Sequence, residues 1–348
     1  MRQRQGLSTT STHDTKRGED ARTRLYSLSE VPERWSEAVS RWAEMNQGAL
    51  TIENEERSPT VEDEWLFYQS LAGAWPFDLS PDDAEGMGTL SDRMTAFMLK
   101  AIREAKVRTS WTGQDQPYED AVERFVRETL DPDAAVAFLE DFTAHHAPIA
   151  LAGALYSLSQ TLIKLTAPGV PDIYRGSELW ELSLVDPDNR RPVDFSQLEG
   201  MLSELESVDT PADLLQRWHR GAIKLYLLEK GLRLRQEHPS LFETGEYAPL
   251  HLTGARSGNA VAYLRDEHDF GLITIAPIRA HALLEGQKTP IVPAERWEDT
   301  AISLPGDWAN KRWRNLLTGE TMTATEGKMR LGEILQSFPV ALLATEGS

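Results

Sequence analysis

Cysteine is absent from the chain, which removes disulfides, thiolate metal ligands and a cysteine nucleophile together. Basic residues are scarce beside acidic ones, 36 against 55, for a net charge of −19. A surface this acidic repels phosphate backbones and argues against a nucleic-acid partner. Long hydrophobic runs are missing too. The most apolar stretch, Ile149 to Ala167, is interrupted by Ser157, Ser159, Gln160 and Lys164, so it predicts a buried helix and no membrane partner. Met1 to Gly6 has no apolar run behind it and does not read as a signal peptide. The expectation is a soluble, cytoplasmic protein. With 348 residues, 40% of them hydrophobic and 26% charged, the chain has the composition of a globular protein and a length suited to about two domains.

Three textures follow one another. Leu7 to Thr12 is a short β-prone run that stops in the polar cluster His13-Asp14-Thr15-Lys16-Arg17-Gly18. A strand that ends this way before a helix is half of an α/β unit, whose ligand-facing residues sit at the strand's C-terminal end. Residues 19–167 carry helical periodicity: Trp35, Ala38, Val39, Trp42 and Ala43 form one stripe, and Tyr118, Ala121, Val122, Phe125 and Val126 another. A third stripe runs from Val61 through Trp65, Tyr68 and Ala72 to Trp75. Thr60 is positioned to cap that helix and Ser91 to cap one running towards Val107. Trp35, Trp42, Trp65 and Trp75 are expected in the core. His145-His146, followed by Ala147-Pro148 and with no acidic partner at ligand spacing, reads as a helix junction and not a metal site.

From residue 168 the pattern returns to α/β. Gly169 to Gly176 predicts a short strand, Asp186 to Pro192 a loop, and Ser196–Glu206 and Pro211–Glu237 helices. Short β-prone runs at Ala260–Leu264, Leu272–Ala276 and Val340–Ala344 predict a small antiparallel sandwich. If the strands at Thr12 and Val170 are parallel neighbours, the roughly 157 residues between them far exceed what a crossover needs. The helical block is then an inserted subdomain capping the mouth of a site.

Three segments carry a resemblance. Ser11-Thr12-His13-Asp14-Thr15-Lys16-Arg17-Gly18-Glu19-Asp20 resembles the segment after the seventh barrel strand of the α-amylase superfamily, glycoside hydrolase family 13. Its Thr15-Lys16-Arg17 extension is similar to the maltooligosyl trehalose synthase branch. Pro168 to Leu179 resembles the eighth-strand motif, and Asp186-Pro187-Asp188-Asn189-Arg190-Arg191-Pro192-Val193-Asp194 the loop after it. The resemblance implies an α/β plus β architecture: the last two strands of a (β/α)8 TIM barrel, a large inserted helical subdomain, and a C-terminal antiparallel β-sandwich. The implied divisions are residues 1–24, 25–167, 168–240 and 241–348. The family's catalytic nucleophile and acid/base precede the His-Asp segment, so the resemblance implies the C-terminal half of such an enzyme. That half would be a fragment, a split gene product or an engineered piece, and it would need a partner polypeptide with the missing strands.

The implied activity is that of an isomerase of trehalose biosynthesis, an intramolecular transfer at the reducing end of an α-1,4-glucan that leaves a trehalose terminus. By resemblance Asp14 is the third carboxylate, stabilising an oxocarbenium-like transition state. His13, Lys16, Arg17, Tyr174, Arg190 and Arg191 are the implied substrate-binding residues. No cofactor and no metal is implied. Other readings of the same residues stand beside these. Asp14 could cap the following helix. Lys16 and Arg17 could pair with Glu19 and Asp20. Tyr174 could pack inside the barrel. The chain could also be a glycan-binding or interaction module without catalysis, or a plain α-amylase-type hydrolase fragment.

Overall fold

A computed structural model describes residues 6–205 and 211–346. They form two compact units, one of residues 13–150 and 182–191, the other of the chain up to Thr12, Leu151–Glu181 and Pro192 onward. In chain order, β1 (Leu7–Thr9) leads into α1 (Glu19–Leu28) and α2 (Pro32–Met45). A hairpin of β2 (Thr51–Glu53) and β3 (Glu56–Ser58) precedes α3 (Val61–Ala74), α4 (Ala84–Ala105), α5 (Gln116–Thr129) and α6 (Val136–Thr166). After β4 (Val170–Asp172) come α7 (Phe195–Leu205), α8 (Pro211–Gln216), α9 (Ala222–Glu237) and α10 (Pro239–Glu243). The tail holds β5 (Glu246–Pro249), β6 (Leu252–Thr253), β7 (Ala260–Glu267), β8 (Phe270–Pro277), β9 (Ala301–Ser303), β10 (Arg312–Asn315), β11 (Thr321–Thr323), β12 (Lys328–Arg330), α11 (Leu331–Ile334) and β13 (Ala341–Thr345).

In the helical unit, α2 buries Trp35, Ala38, Val39 and Trp42, the face its periodicity marked. Trp42 is fully buried and its indole N–H donates to Asp141 Oδ2 at 2.7 Å, so this ring keeps its polar atom satisfied. Phe67, Tyr68, Phe125, Phe138 and Phe142 complete that core. Trp65 departs from expectation. It is 36% exposed and meets Trp35 edge-on at the rim, 6.4 Å between centroids. Thr60 caps α3 by accepting from Asp63 N–H at 3.2 Å. Ser91 is no cap: α4 starts earlier, because the Asp83 carboxylate accepts from Gly86 N–H at 3.0 Å, and Ser91 is buried in mid-helix. The pair His145-His146 is no junction either, since α6 runs unbroken for 31 residues with Pro148 inside it. A helical proline costs about 3 kcal/mol; burial of Ile149, Ala152 and Leu155 along the same helix outweighs it.

In the other unit, β1 and β4 are parallel neighbours, Leu7 opposite Val170 and Thr9 opposite Asp172. The sequence pattern anticipated this pairing. Lys164 near the end of α6 ties the sheet down by donating to Thr10 Oγ1 at 2.7 Å. Gly169 enters β4 at φ +124°, with Gly6 O only 2.7 Å from where a Cβ would stand; only glycine fits both constraints. The expected strand from Gly169 to Gly176 is shorter than its motif, because the chain turns after Asp172. The expected Pro211–Glu237 helix is two helices, split by a 3₁₀ turn at Trp218–Arg220 and by Gly221 at φ +83°. The tail forms a six-stranded sheet, β11-β10-β13-β8-β7-β5, and a three-stranded sheet, β12-β9-β6. All neighbours within these two sheets are antiparallel. Ile273 and Leu343 from the first sheet and Ile302 and Met329 from the second join one core around Trp297 and Trp313.

Candidate active site

His13 and Asp14 form a tight turn, with His13 Nε2 3.3 Å from Asp14 Oδ2 and both side chains more than half exposed. The helix that follows starts at Glu19, with Gly18 in the N-cap position. Asp14 therefore does not cap it and lies at the surface. Lys16, 63% exposed, pairs with Glu104 of α4 at 3.1 Å and not with Glu19 or Asp20, which are buried. Arg17 turns inward. It donates to Ser70 Oγ at 3.0 Å, its guanidinium lies 5.8 Å from the Phe97 ring centre, and burial lowers its pKa.

The turn is held by the 182–191 loop, part of the same unit. Gly18 N–H donates to Ser183 O at 2.7 Å, Arg17 bridges to Leu184, and the Asn189 side-chain amide donates to His13 O at 3.0 Å. The loop is in turn pinned to α4. Arg93 grips Asp188 with two bonds of 3.0 Å each and reaches Leu182 O at 3.0 Å. Asp188 also accepts from Leu184 N–H at 2.8 Å and pairs with Arg191 at 3.0 Å. Lys100 meets Asp186 Oδ1 at 2.5 Å; that hydrogen bond is the main cause of an Asp186 pKa below the usual carboxylate range. Arg190 lies 3.7 Å from Asp186 Oδ2.

Six of the seven residues implied by the resemblance, His13, Asp14, Lys16, Arg17, Arg190 and Arg191, thus share one unit and one loop-and-turn cluster. Tyr174 belongs to the other unit. It lies beyond the end of β4, where its carbonyl accepts from Ser177 N–H at 3.0 Å and Ser177 Oγ at 2.6 Å, so the in-or-out alternation of a strand does not govern it. Arg93, Lys100 and Glu104 escaped the sequence reading. They project from a helix whose periodicity marks only its buried face. The cluster offers a carboxylate beside several exposed hydrogen-bond donors. Among the described residues no group of three or more His, Asp or Glu could hold a metal ion, and no helix is long and apolar enough to cross a membrane.

No protein-family model matches the chain. Individual proteins do. Over 342 residues, 98% of its length, it is 33% identical to a Mycobacterium tuberculosis protein provisionally named maltooligosyl trehalose synthase. The resemblance is to maltooligosyl trehalose synthases. The solved synthase from Arthrobacter ramosus superposes over 98% of the chain with a TM-score of 0.77 and 32% identity. A second solved maltooligosyl trehalose synthase covers 99% of it at a TM-score of 0.75 and 27% identity. The chain spans only 38–40% of the length of these synthases, so it corresponds to part of one.

Proposed function

We propose that the chain supplies part of the active site of a maltooligosyl trehalose synthase, an isomerase that moves the reducing-end glucose of a maltooligosaccharide from an α-1,4 to an α,α-1,1 linkage. The observation that carries this reading is the 33% identity sustained over 98% of the chain. The parallel β1–β4 pair and the anchored His13–Asp14 turn accord with it. In this reading β1 and β4 are the last two strands of a (β/α)8 barrel, residues 25–167 an insertion, and residues 241–348 a β-sandwich, in a cytoplasmic enzyme of the α-amylase superfamily.

Retaining transfer needs a carboxylate nucleophile and a second carboxyl, about 5–5.5 Å apart across the bond, that is acid in one half-reaction and base in the other. Both would come from chain outside these residues. Asp14 binds hydroxyls of the reacting sugar and stabilises the oxocarbenium-like transition state, in which such hydrogen bonds strengthen. His13, Lys16, Arg190 and Arg191 donate to the glucan. Arg17, set behind the turn, adds positive potential. The freed glucose must be held, turned and rejoined before water intervenes, so fixed donors around it favour transfer over hydrolysis.

The test is an assay for trehalose-terminated product from maltopentaose. Alone, these 348 residues should give none, because losing both the nucleophile and a general acid worth ~10²–10⁴-fold leaves no useful rate. Adding a polypeptide with the preceding barrel strands should restore turnover, and Asp14→Asn should abolish it again. Turnover by the chain alone would overturn the reading.

A further inference from the structure

Two exposed cations of the cluster, Lys16 and Arg190, belong to a ladder of alternating charge. Lys16 Nζ sits 3.1 Å from Glu104 Oε2. Lys100 Nζ lies 3.7 Å from the other oxygen of the same carboxylate and 2.5 Å from Asp186 Oδ1. The second oxygen of Asp186 is 3.7 Å from the Arg190 guanidinium. Lys16 at one end is 63% exposed and Arg190 at the other 54%, while Lys100 in the middle is only 16% exposed.

We propose that Lys100 is a positioning residue: by holding the Glu104 and Asp186 carboxylates it sets the spacing of Lys16 and Arg190, and so where a glucan finds its donors. The catalytic meaning of this rests on the function proposed above, in which those two cations touch sugar. Two observations and one electrostatic argument carry it. Lys100 also donates to the backbone carbonyl of Asp186 at 3.0 Å, so it fixes the loop's main chain as well as its carboxylate. The Lys100–Glu104 pair runs lysine first, the weaker order for supporting a helix; helix stability alone gives little reason for it. And without Lys100 the two carboxylates would repel each other, with Lys16 and Arg190 the nearest cations to swing into the gap. Long side chains at an exposed site lose rotamer entropy on binding; anchoring their ends beforehand removes part of that cost, and a misplacement of about 1 Å can be expensive in rate.

The first experiment uses the chain itself. Side-chain ¹⁵N spectra would be assigned through Lys16→Gln and Arg190→Gln and compared among wild type, Lys100→Met and Lys100→Arg. Lys100→Met should move both the Lys16 and the Arg190 signals and Lys100→Arg should return them towards wild type, while Arg41, paired elsewhere with Asp141, stays put. Unmoved Lys16 and Arg190 signals in a folded Lys100→Met protein would overturn the proposal. Should that variant not fold, Asp186→Asn cuts the ladder on the other side of Lys100, and the same signals decide. The second experiment adds the preceding barrel strands in trans. Lys100→Met should raise KM for maltopentaose about 10-fold and shift product from trehalose ends to free glucose, with partial rescue by Lys100→Arg; an unchanged KM and product ratio would overturn the proposal. If the reconstituted wild type does not turn over, the parent function fails, while the spectra still decide the ladder.

Discussion

At His146 burial decides protonation. The ring is fully enclosed, stacks on Phe142 with 5.4 Å between centroids, and has its Nε2 2.8 Å from Ala72 O. Burial first, and then the nearby Arg24, push its pKa down from 6.5 to about 3. The unfolded chain therefore binds a proton that the folded chain refuses. Its contribution is complete above about pH 6.5 and is lost progressively as pH falls towards 3. Between pH 6.5 and about 4.5 most carboxylates are still ionised, so the thermal midpoint should fall with pH there, and His146→Gln should flatten that slope. His145, also lowered by burial, leaves a smaller residual slope. Asp14 lies at the other extreme of exposure. At 80% side-chain exposure, Asp14→Asn should leave stability within about 0.5 kcal/mol of wild type, readable by urea denaturation, even though on the proposed function it should abolish turnover once the missing half is added.

Between elements, a close link runs from α4 to the 182–191 loop. The side chains of Arg93 and Asp188 are 12% and 9% exposed and bond at two points. Removing one partner of such a pair strands a buried charge and costs about 3 kcal/mol, so Arg93→Met should lower the unfolding free energy by that order. It should also speed amide exchange at residues 13–18, which hang from the loop. Gly169→Ala should cost more than ~1 kcal/mol, because a Cβ there is both strained and crowded. The elements themselves were legible wherever burial is one-sided: the Trp35–Trp42 stripe predicts α2 because water and core select opposite faces of a 3.6-residue period. The partners of the site were not. Arg93 and Lys100 face a loop 86 to 95 residues further along and Glu104 a turn residue 88 positions back, and no local periodicity records partners so distant. Helix starts misled where two residues competed, Asp83 prevailing over Ser91. Pro148 misled because the rule for a proline ignores the burial on either side of it.

For the whole molecule, the two-stranded parallel sheet matters most. Among the described residues β1 and β4 pair only with each other, and Leu7 and Val170 are 78% and 49% exposed. Unpaired strand edges with apolar side chains beside them recruit other strands. A polypeptide of these 348 residues should bind a hydrophobic dye or self-associate, and both signals should drop when a polypeptide carrying the proposed preceding strands is added. The net charge of −19 slows such association at low ionic strength, so salt should promote it. A dye-silent monomer across that salt range would argue that nothing else is meant to pair with β1 and β4.

The same sheet sets a timetable for synthesis. Leu7 and Val170 face each other but are made about 160 positions apart, which at 5–20 residues per second leaves β1 waiting roughly 10–30 s for its neighbour. The intervening helices, which share most of one core among themselves, can fold within that interval. Ribosome-bound chains halted before β4 should already protect α2 to α5 from protease while leaving the segment around Leu7 open to cleavage. Whatever holds that segment in the meantime, another strand or a chaperone, meets it before its native partner does.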